Sequence, residues 1–195
     1  MRYRVSRKHR VSGLVLVAII FVAVGQWQGW FGVAGRGAMR LQPGQYAIDH
    51  YVDGDTIAVD MNGHVETVRF IGIDTPETHK PNTPVQCYGP AAAAHTKNVI
   101  EAAGGKVRLV SDSLSTNRDR YGRLLRYVYL PDGTDLNKLN IAQGYAFYYP
   151  YFPYSKSAEF AAAQKQAQAE KRGLWGYCTP TPSDDGGYKM NELAS

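Results

Sequence analysis

Residues 45–73 hold three β-type segments, 45–52, 55–60 and 65–73, joined only by the turn signals Asp53-Gly54 and Asn62-Gly63. Connections this short commit the segments to hairpins, and so to a small antiparallel β structure. The run stops in "IGIDTPETHK", residues 71–80, where Pro76 prevents the strand from continuing. Two acids, Asp74 and Glu77, sit on either side of that forced turn. A helix is expected from about Pro90 to Ala103, with Pro90 in its first turn and Gly104-Gly105 as its stop. Strands recur at 106–111 and 124–130, followed by a short helix over 135–143 and an alanine-rich helix over 156–172. Lys171-Arg172 in the last turn and Gly173 beyond it mark the end of that helix. Five short strands, with helices after the third and beyond the fifth, predict an α+β fold: a five-stranded OB-type β-barrel with three helices.

The 195 residues suffice for one such domain, 45–178, with flanking segments outside it. Residues 35–44, "GRGAMRLQPG", read as a linker, and 179–195, "TPTPSDDGGYKMNELAS", as a disordered tail. The formal charge of +5 looks at first like a nucleic-acid footprint. Its location undoes that argument. Arg2, Arg4, Arg7, Lys8 and Arg10 precede an uncharged stretch from Val11 to Ala34, and without them 17 bases balance 17 acids. A basic arm followed by the apolar run 11–24 makes residues 1–34 a secretory signal peptide or an uncleaved membrane anchor. The run is shorter than the ~20 residues of a spanning helix, but Trp27, Trp30 and Phe31 would extend it at the interface. Either way the body is exported. Outside the reducing cytosol, two cysteines favour a Cys87–Cys178 disulfide over two buried thiols.

Within the body, charge is polarised along the chain. From Asp49 to Glu77 there are seven acids against Arg69 alone, and from Lys97 to Arg126 seven bases against three acids. Folding these halves together would set a carboxylate nest beside a cationic wall, as a hard metal ion and an anionic substrate require. Three pieces carry the candidates. "VDGDTI", 52–57, holds Asp53 and Asp55, which a plain hairpin would equally explain. "VRFIGIDTPE", 68–77, places Arg69 on the face opposite Val68 and Phe70. "DRYGRLL", 119–125, makes a turn at Tyr121-Gly122 before Arg123 opens a strand. The five histidines show no metal-ligand spacing.

Together and in this order, "DGDT", the strand arginine, "DTPE", "CYGPAA", "DRYGR", "NIAQGYA" and "EKRGLWG" resemble the staphylococcal nuclease (thermonuclease) family, from about Tyr46 to Trp175. The resemblance implies an OB-type barrel with three helices that uses Ca²⁺ to hydrolyse DNA and RNA phosphodiesters. It assigns Asp55, Asp74 and the Thr75 carbonyl as Ca²⁺ ligands, and Glu77 as general base. Arg69 and Arg123 become catalytic arginines, Tyr121 and Tyr149 pocket tyrosines, and Asp53 a nearby acid of supporting role. The chemistry agrees: Ca²⁺ takes oxygen ligands, and planar guanidiniums bind phosphoryl oxygens in bidentate fashion. Two features lie outside the pattern: both cysteines, and the aromatic run "YYPYFPY", 148–154, either a packed loop or a base-stacking platform. That run leaves the choice among Tyr148, Tyr149 and Tyr151 open.

The expected protein is an exported, monomeric Ca²⁺-dependent nuclease acting on DNA, RNA or both, with single-stranded or flexible stretches preferred. One rival is a catalytically silent OB module that binds nucleic acid. It does not need Asp55, Asp74, Glu77, Arg69 and Arg123 together. The other rival is a cell-surface interaction domain anchored through residues 11–34, whose binding would be indifferent to chelator.

Overall fold

The computed structural model describes residues 44–78 and 84–192. The leader 1–34, all but the last residue of the linker, and His79 lie outside the described residues. Among the described residues no helix is long and apolar enough to cross a membrane.

Five strands close into a barrel in the order β1-β2-β3-β6-β5: β1 (Tyr46–Tyr51), β2 (Thr56–Asp60), β3 (Val65–Phe70), β5 (Lys106–Val110) and β6 (Leu124–Tyr129). Every pairing is antiparallel except β3 with β6, which run parallel with Val68 opposite Leu124. The β2–β3 hairpin turns on Asn62 and Gly63, both at positive φ (59° and 89°), so its twist matches that of the strands it joins. In β5, Val107 and Leu109 enter the core while Lys106 and Arg108 stay out, the period-2 alternation of a one-sided strand. β2 is buried from Thr56 to Val59, because both of its faces are covered.

Three helices close the barrel. α1 (Gly89–Ala102) buries Ala92, Thr96 and Ile100, one stripe at four-residue spacing. α2 (Leu136–Ala142) starts on Asp135, whose side chain accepts the Lys138 N–H. α3 (Ser157–Ala169) buries Phe160, Ala163, Gln164 and Ala167, and a single turn, α4 (Leu174–Tyr177), follows it. Gly144 and Gly173 cross at the ends of α2 and α3. A Cβ on either would lie 2.2 Å from backbone of the other segment, so this crossing admits only glycine.

Three expectations need correcting. The segment 65–73 is not one strand: it breaks at Gly72 (φ 75°), and the two-residue β4 (Ile73–Asp74) leaves the barrel to pair with β7 (Phe147–Tyr148). The break is held from outside, since Asn137 takes the Ile71 carbonyl and the Tyr149 N–H takes that of Gly72. Arg126, counted with the cationic wall, is instead fully buried, its guanidinium donating to Asn117 O (3.2 Å), Asn117 Oδ1 (2.7 Å) and Leu125 O (2.6 Å). Burial pushes its pKa down to about 10. The tail is ordered through Glu192 as a hairpin of β8 (Thr181–Pro182) and β9 (Tyr188–Lys189). Its polar sequence lacks a core of its own, but the Tyr188 ring stacks on Phe147 and meets Trp175 edge-on, which supplies one.

Cys87 and Cys178 are disulfide-bonded, 91 residues apart, as the sequence led us to expect.

Candidate active site

Two acid-bearing turns meet where β1 hands over to β2 and where β4 leaves the barrel. A Cβ at Gly54 would lie 2.8 Å from Thr75 Cγ2, so glycine here is what lets the turns touch. The Gly54 carbonyl is fixed by Thr96 Oγ1 of α1 (2.6 Å) and Asn140 Nδ2 of α2 (3.3 Å), which also bond each other. Two helices thus set the position of the Asp53–Asp55 loop. Neither Thr96 nor Asn140 was singled out from sequence. Their signal was a polar residue at a core position of a helix, Thr96 between Ala92 and Ile100 and Asn140 beside Leu136 and Ile141.

Asp55 is 4% exposed. Its Oδ2 accepts the Thr75 N–H (2.8 Å) and pairs with Arg69 Nη2 (3.0 Å), while Oδ1 accepts from Thr56 Oγ1 (3.0 Å). Asp74 Oδ1 reaches the same Arg69 Nη2 at 2.8 Å, with its carboxylate partly open to solvent. The two carboxylates therefore converge on one nitrogen. Arg69 Nη1 donates to Phe70 O (3.0 Å) and Ile73 O (2.7 Å), so one guanidinium ties the end of β3 to β4. Burial opposes its charge, but Asp55, Asp74 and Asp53 outweigh burial and raise its pKa. Asp53 caps this loop by accepting the Asp55 N–H (3.1 Å). Burial, then the neighbouring Asp55 carboxylate, push Asp53 up to about 7.

Glu77 follows on the same turn, half-buried, with its N–H on Gln86 Oε1 (2.8 Å) and its carbonyl on the Gln86 N–H (2.9 Å). Gln86 is a third residue not singled out from sequence, and no local pattern announces it.

Arg123 and Tyr121 belong to a separate turn, 119–123. Asp119 accepts Arg123 Nε (2.7 Å) and the main-chain N–H groups of Tyr121 and Arg123 (2.9 and 3.0 Å). Burial would raise the Asp119 carboxyl, but these bonds hold it below its ordinary range. The Tyr121 ring, 68% exposed, is flanked by the guanidiniums of Arg120 (4.7 Å) and Arg123 (5.4 Å).

Tyr149 connects the two clusters. Its N–H is fixed on Gly72 O (2.9 Å), and its phenol feels Asp74, Arg69 and Arg120, with burial the main cause of its raised pKa. Tyr148 instead turns to Ser157 Oγ (2.8 Å), and Tyr151 donates to Asp185 (2.7 Å). Of the three tyrosines left open by sequence, Tyr149 shares its surroundings with Asp74 and Arg69.

Among the described residues no group of three or more His, Cys, Asp or Glu side chains is arranged to hold a metal ion. What converges here are the oxygens of two carboxylates, Asp55 and Asp74. That suits a hard cation completing its shell with water and substrate oxygen, and does not suit zinc.

Residues 67–177 match the family model described as staphylococcal nuclease homologue. The chain is 41% identical over 169 residues to a thermonuclease of Staphylococcus hyicus, covering 85% of this chain and 92% of that one. It is 38% identical over 172 residues to a thermonuclease of Staphylococcus intermedius, covering 86% and 98%. A prophage-derived endonuclease of Bacillus subtilis is 43% identical over 137 residues, 68% of this chain, of whose own length the match spans only 45%. The chain belongs to the staphylococcal nuclease homologue family.

Proposed function

We propose that the protein is an exported, Ca²⁺-dependent nuclease that hydrolyses phosphodiester bonds of DNA or RNA, preferring flexible or single-stranded stretches. Family membership carries the nuclease and its nucleic-acid substrate. The observation that carries the site is the convergence of Asp55 and Asp74 on Arg69 Nη2 beside the Thr75 turn. Asp55, Asp74 and the Thr75 carbonyl would hold the cation. When bound, it would polarise a phosphoryl oxygen and offset charge in the transition state.

The remaining roles fall to this chain's own groups. Glu77 takes a proton from the attacking water. Asp119 occupies the Nε hydrogen of Arg123 and so leaves its two terminal amino groups for phosphoryl oxygens. Tyr149 and Tyr121 line the nucleotide pocket, with the Arg120 guanidinium against the Tyr121 ring. Export is supported by the basic and apolar leader and by the Cys87–Cys178 disulfide, a bond of oxidising compartments. The protein acts as a monomer, with the leader either removed or retained as an anchor.

The test is cleavage of single-stranded DNA by the full chain with Ca²⁺ and with excess chelator. Cleavage in the first lane and none in the second is expected. Binding without cleavage in both lanes would favour the silent OB module instead, and cleavage in both would reject the metal.

A further inference from the structure

The Glu77 turn is held by a residue that the chemistry does not use. Gln86 supplies both partners of the Glu77 main chain, its Oε1 to the N–H and its own N–H to the carbonyl, at 2.8 and 2.9 Å. Fixing both peptide planes around one Cα fixes the direction in which the side chain leaves it. Gln86 is held in turn. It forms a β-bridge with Glu192, and the next residue, Cys87, donates its N–H to Asn191 O (2.9 Å) and is bonded to Cys178. Asn191 Oδ1 accepts the Thr179 N–H (3.1 Å), which folds the end of the chain back onto the disulfide.

The other end of this segment is anchored by Tyr188. Its ring lies on Phe147 with centroids 5.7 Å apart and planes 8° from parallel, and stands edge-on to Trp175 at 4.9 Å. Its hydroxyl accepts from Gln168 Nε2 (2.7 Å). Phe147 is the β7 residue opposite Asp74. The segment that holds Gln86 therefore also rests on the strand that pairs with the acid-bearing β4.

We propose that Gln86 is a positioning residue for Glu77, and that residues 179–192 form a strap holding it in place. The proposal rests on the reading of Glu77 as general base. The Glu77 carboxylate then has its direction set before substrate arrives, by a side-chain bond that one substitution removes. Displacing a reacting group by 1 Å costs on the order of 10²-fold in rate, and loss of one of two main-chain bonds sits below that.

The test uses the full chain in steady-state kinetics on single-stranded DNA with Ca²⁺. Gln86→Met keeps the length of the side chain but removes the acceptor. It should lower kcat on the order of 10-fold, with KM changed by less than about two-fold, because binding is untouched. Gln86→Glu keeps an oxygen at the same place and should recover most of the rate. Tyr188→Ala, which removes the anchor of the strap, should repeat the Gln86→Met signature. Combined with Glu77→Gln, the Gln86→Met loss should vanish, since both act through one group.

The outcomes separate. If Glu77→Gln turns over normally, the general-base reading falls and takes the positioning role with it. If Glu77→Gln is slow, the positioning role is rejected by any of three results. These are a Gln86→Met rate equal to wild type, a Gln86→Glu rate as low as that of Gln86→Met, and losses that multiply in the double variant. Far-UV circular dichroism of each variant confirms that the comparison is between folded proteins.

Discussion

Arg69 and Arg123 both stand beside carboxylates, but the surroundings ask different things of them. Arg69 spends its two terminal nitrogens on four partners, Phe70 O, Ile73 O, Asp55 and Asp74. An ammonium cannot reach four acceptors in that plane. Arg69→Lys should therefore fall nearly as far as Arg69→Ala and should also weaken Ca²⁺ binding, since the carboxylates lose their common partner. Arg123 uses Nε to stay aimed by Asp119. Its lysine variant should bind Ca²⁺ normally and lose ~10²–10³ in turnover, the usual worth of one preorganised donor. Single-turnover rates and calcium titrations of both pairs check this, and near-wild-type turnover by Arg123→Lys would reject a bidentate role. Glu77→Gln removes only a proton acceptor, so its turnover should drop by ~10²–10⁴ with nucleotide affinity unchanged. A loss confined to affinity would assign Glu77 to binding instead.

Between elements, the joint that most resists acid is Asp112, just beyond β5. Its carboxylate accepts from the Tyr127 hydroxyl of β6 (2.6 Å), from the Ser155 N–H ahead of α3 (2.7 Å) and from the Leu114 N–H (2.7 Å). Burial would raise its pKa, but these bonds win and lower it to about 2. A depressed carboxylate stabilises the fold fully above its unfolded pKa near 4, and that contribution is lost as pH falls toward 2. Asp112→Asn should cost about 2 kcal/mol at pH 7 and flatten the acid limb between pH 4 and 2, measured by urea melts across that range. An unchanged acid limb would place the pH sensitivity elsewhere. The same joints explain what could be read from the chain. The β2–β3 hairpin was legible because Asn62-Gly63 encodes its turn locally, whereas Asp55, Asp74 and Arg69 were singled out as a set only by the family resemblance, since a plain hairpin would equally explain the acids of its turn. The break at Gly72 was not legible, since Asn137, Tyr149 and Tyr154 impose it from 65 residues or more away. Nor was the ordered tail, whose one anchoring ring finds its partners only in the folded molecule.

Across the whole molecule, the covalent constraint is the Cys87–Cys178 bridge, its ends 91 positions apart in sequence and its Cα atoms 6.1 Å apart. It joins the segment leading into α1 to the residue after α4, so it encloses α1, β5, β6, α2, β7, α3 and α4 in one loop. Those elements already meet through barrel pairing and helix packing, and the bridge adds little to the native contacts. Its main action is on the unfolded chain, where it forbids the expanded states that such a loop would otherwise visit. The entropic model gives ~3–5 kcal/mol for a loop of this size, with measured effects often smaller. Replacing both cysteines by serine should therefore lower the urea midpoint while raising the slope of the transition, because the released unfolded chain exposes more surface. Native-state strain relieved by the bond would instead shift the midpoint with no change in slope. An unaltered midpoint would mean that residual structure in the unfolded ensemble already restrains these ends as effectively as the bond does.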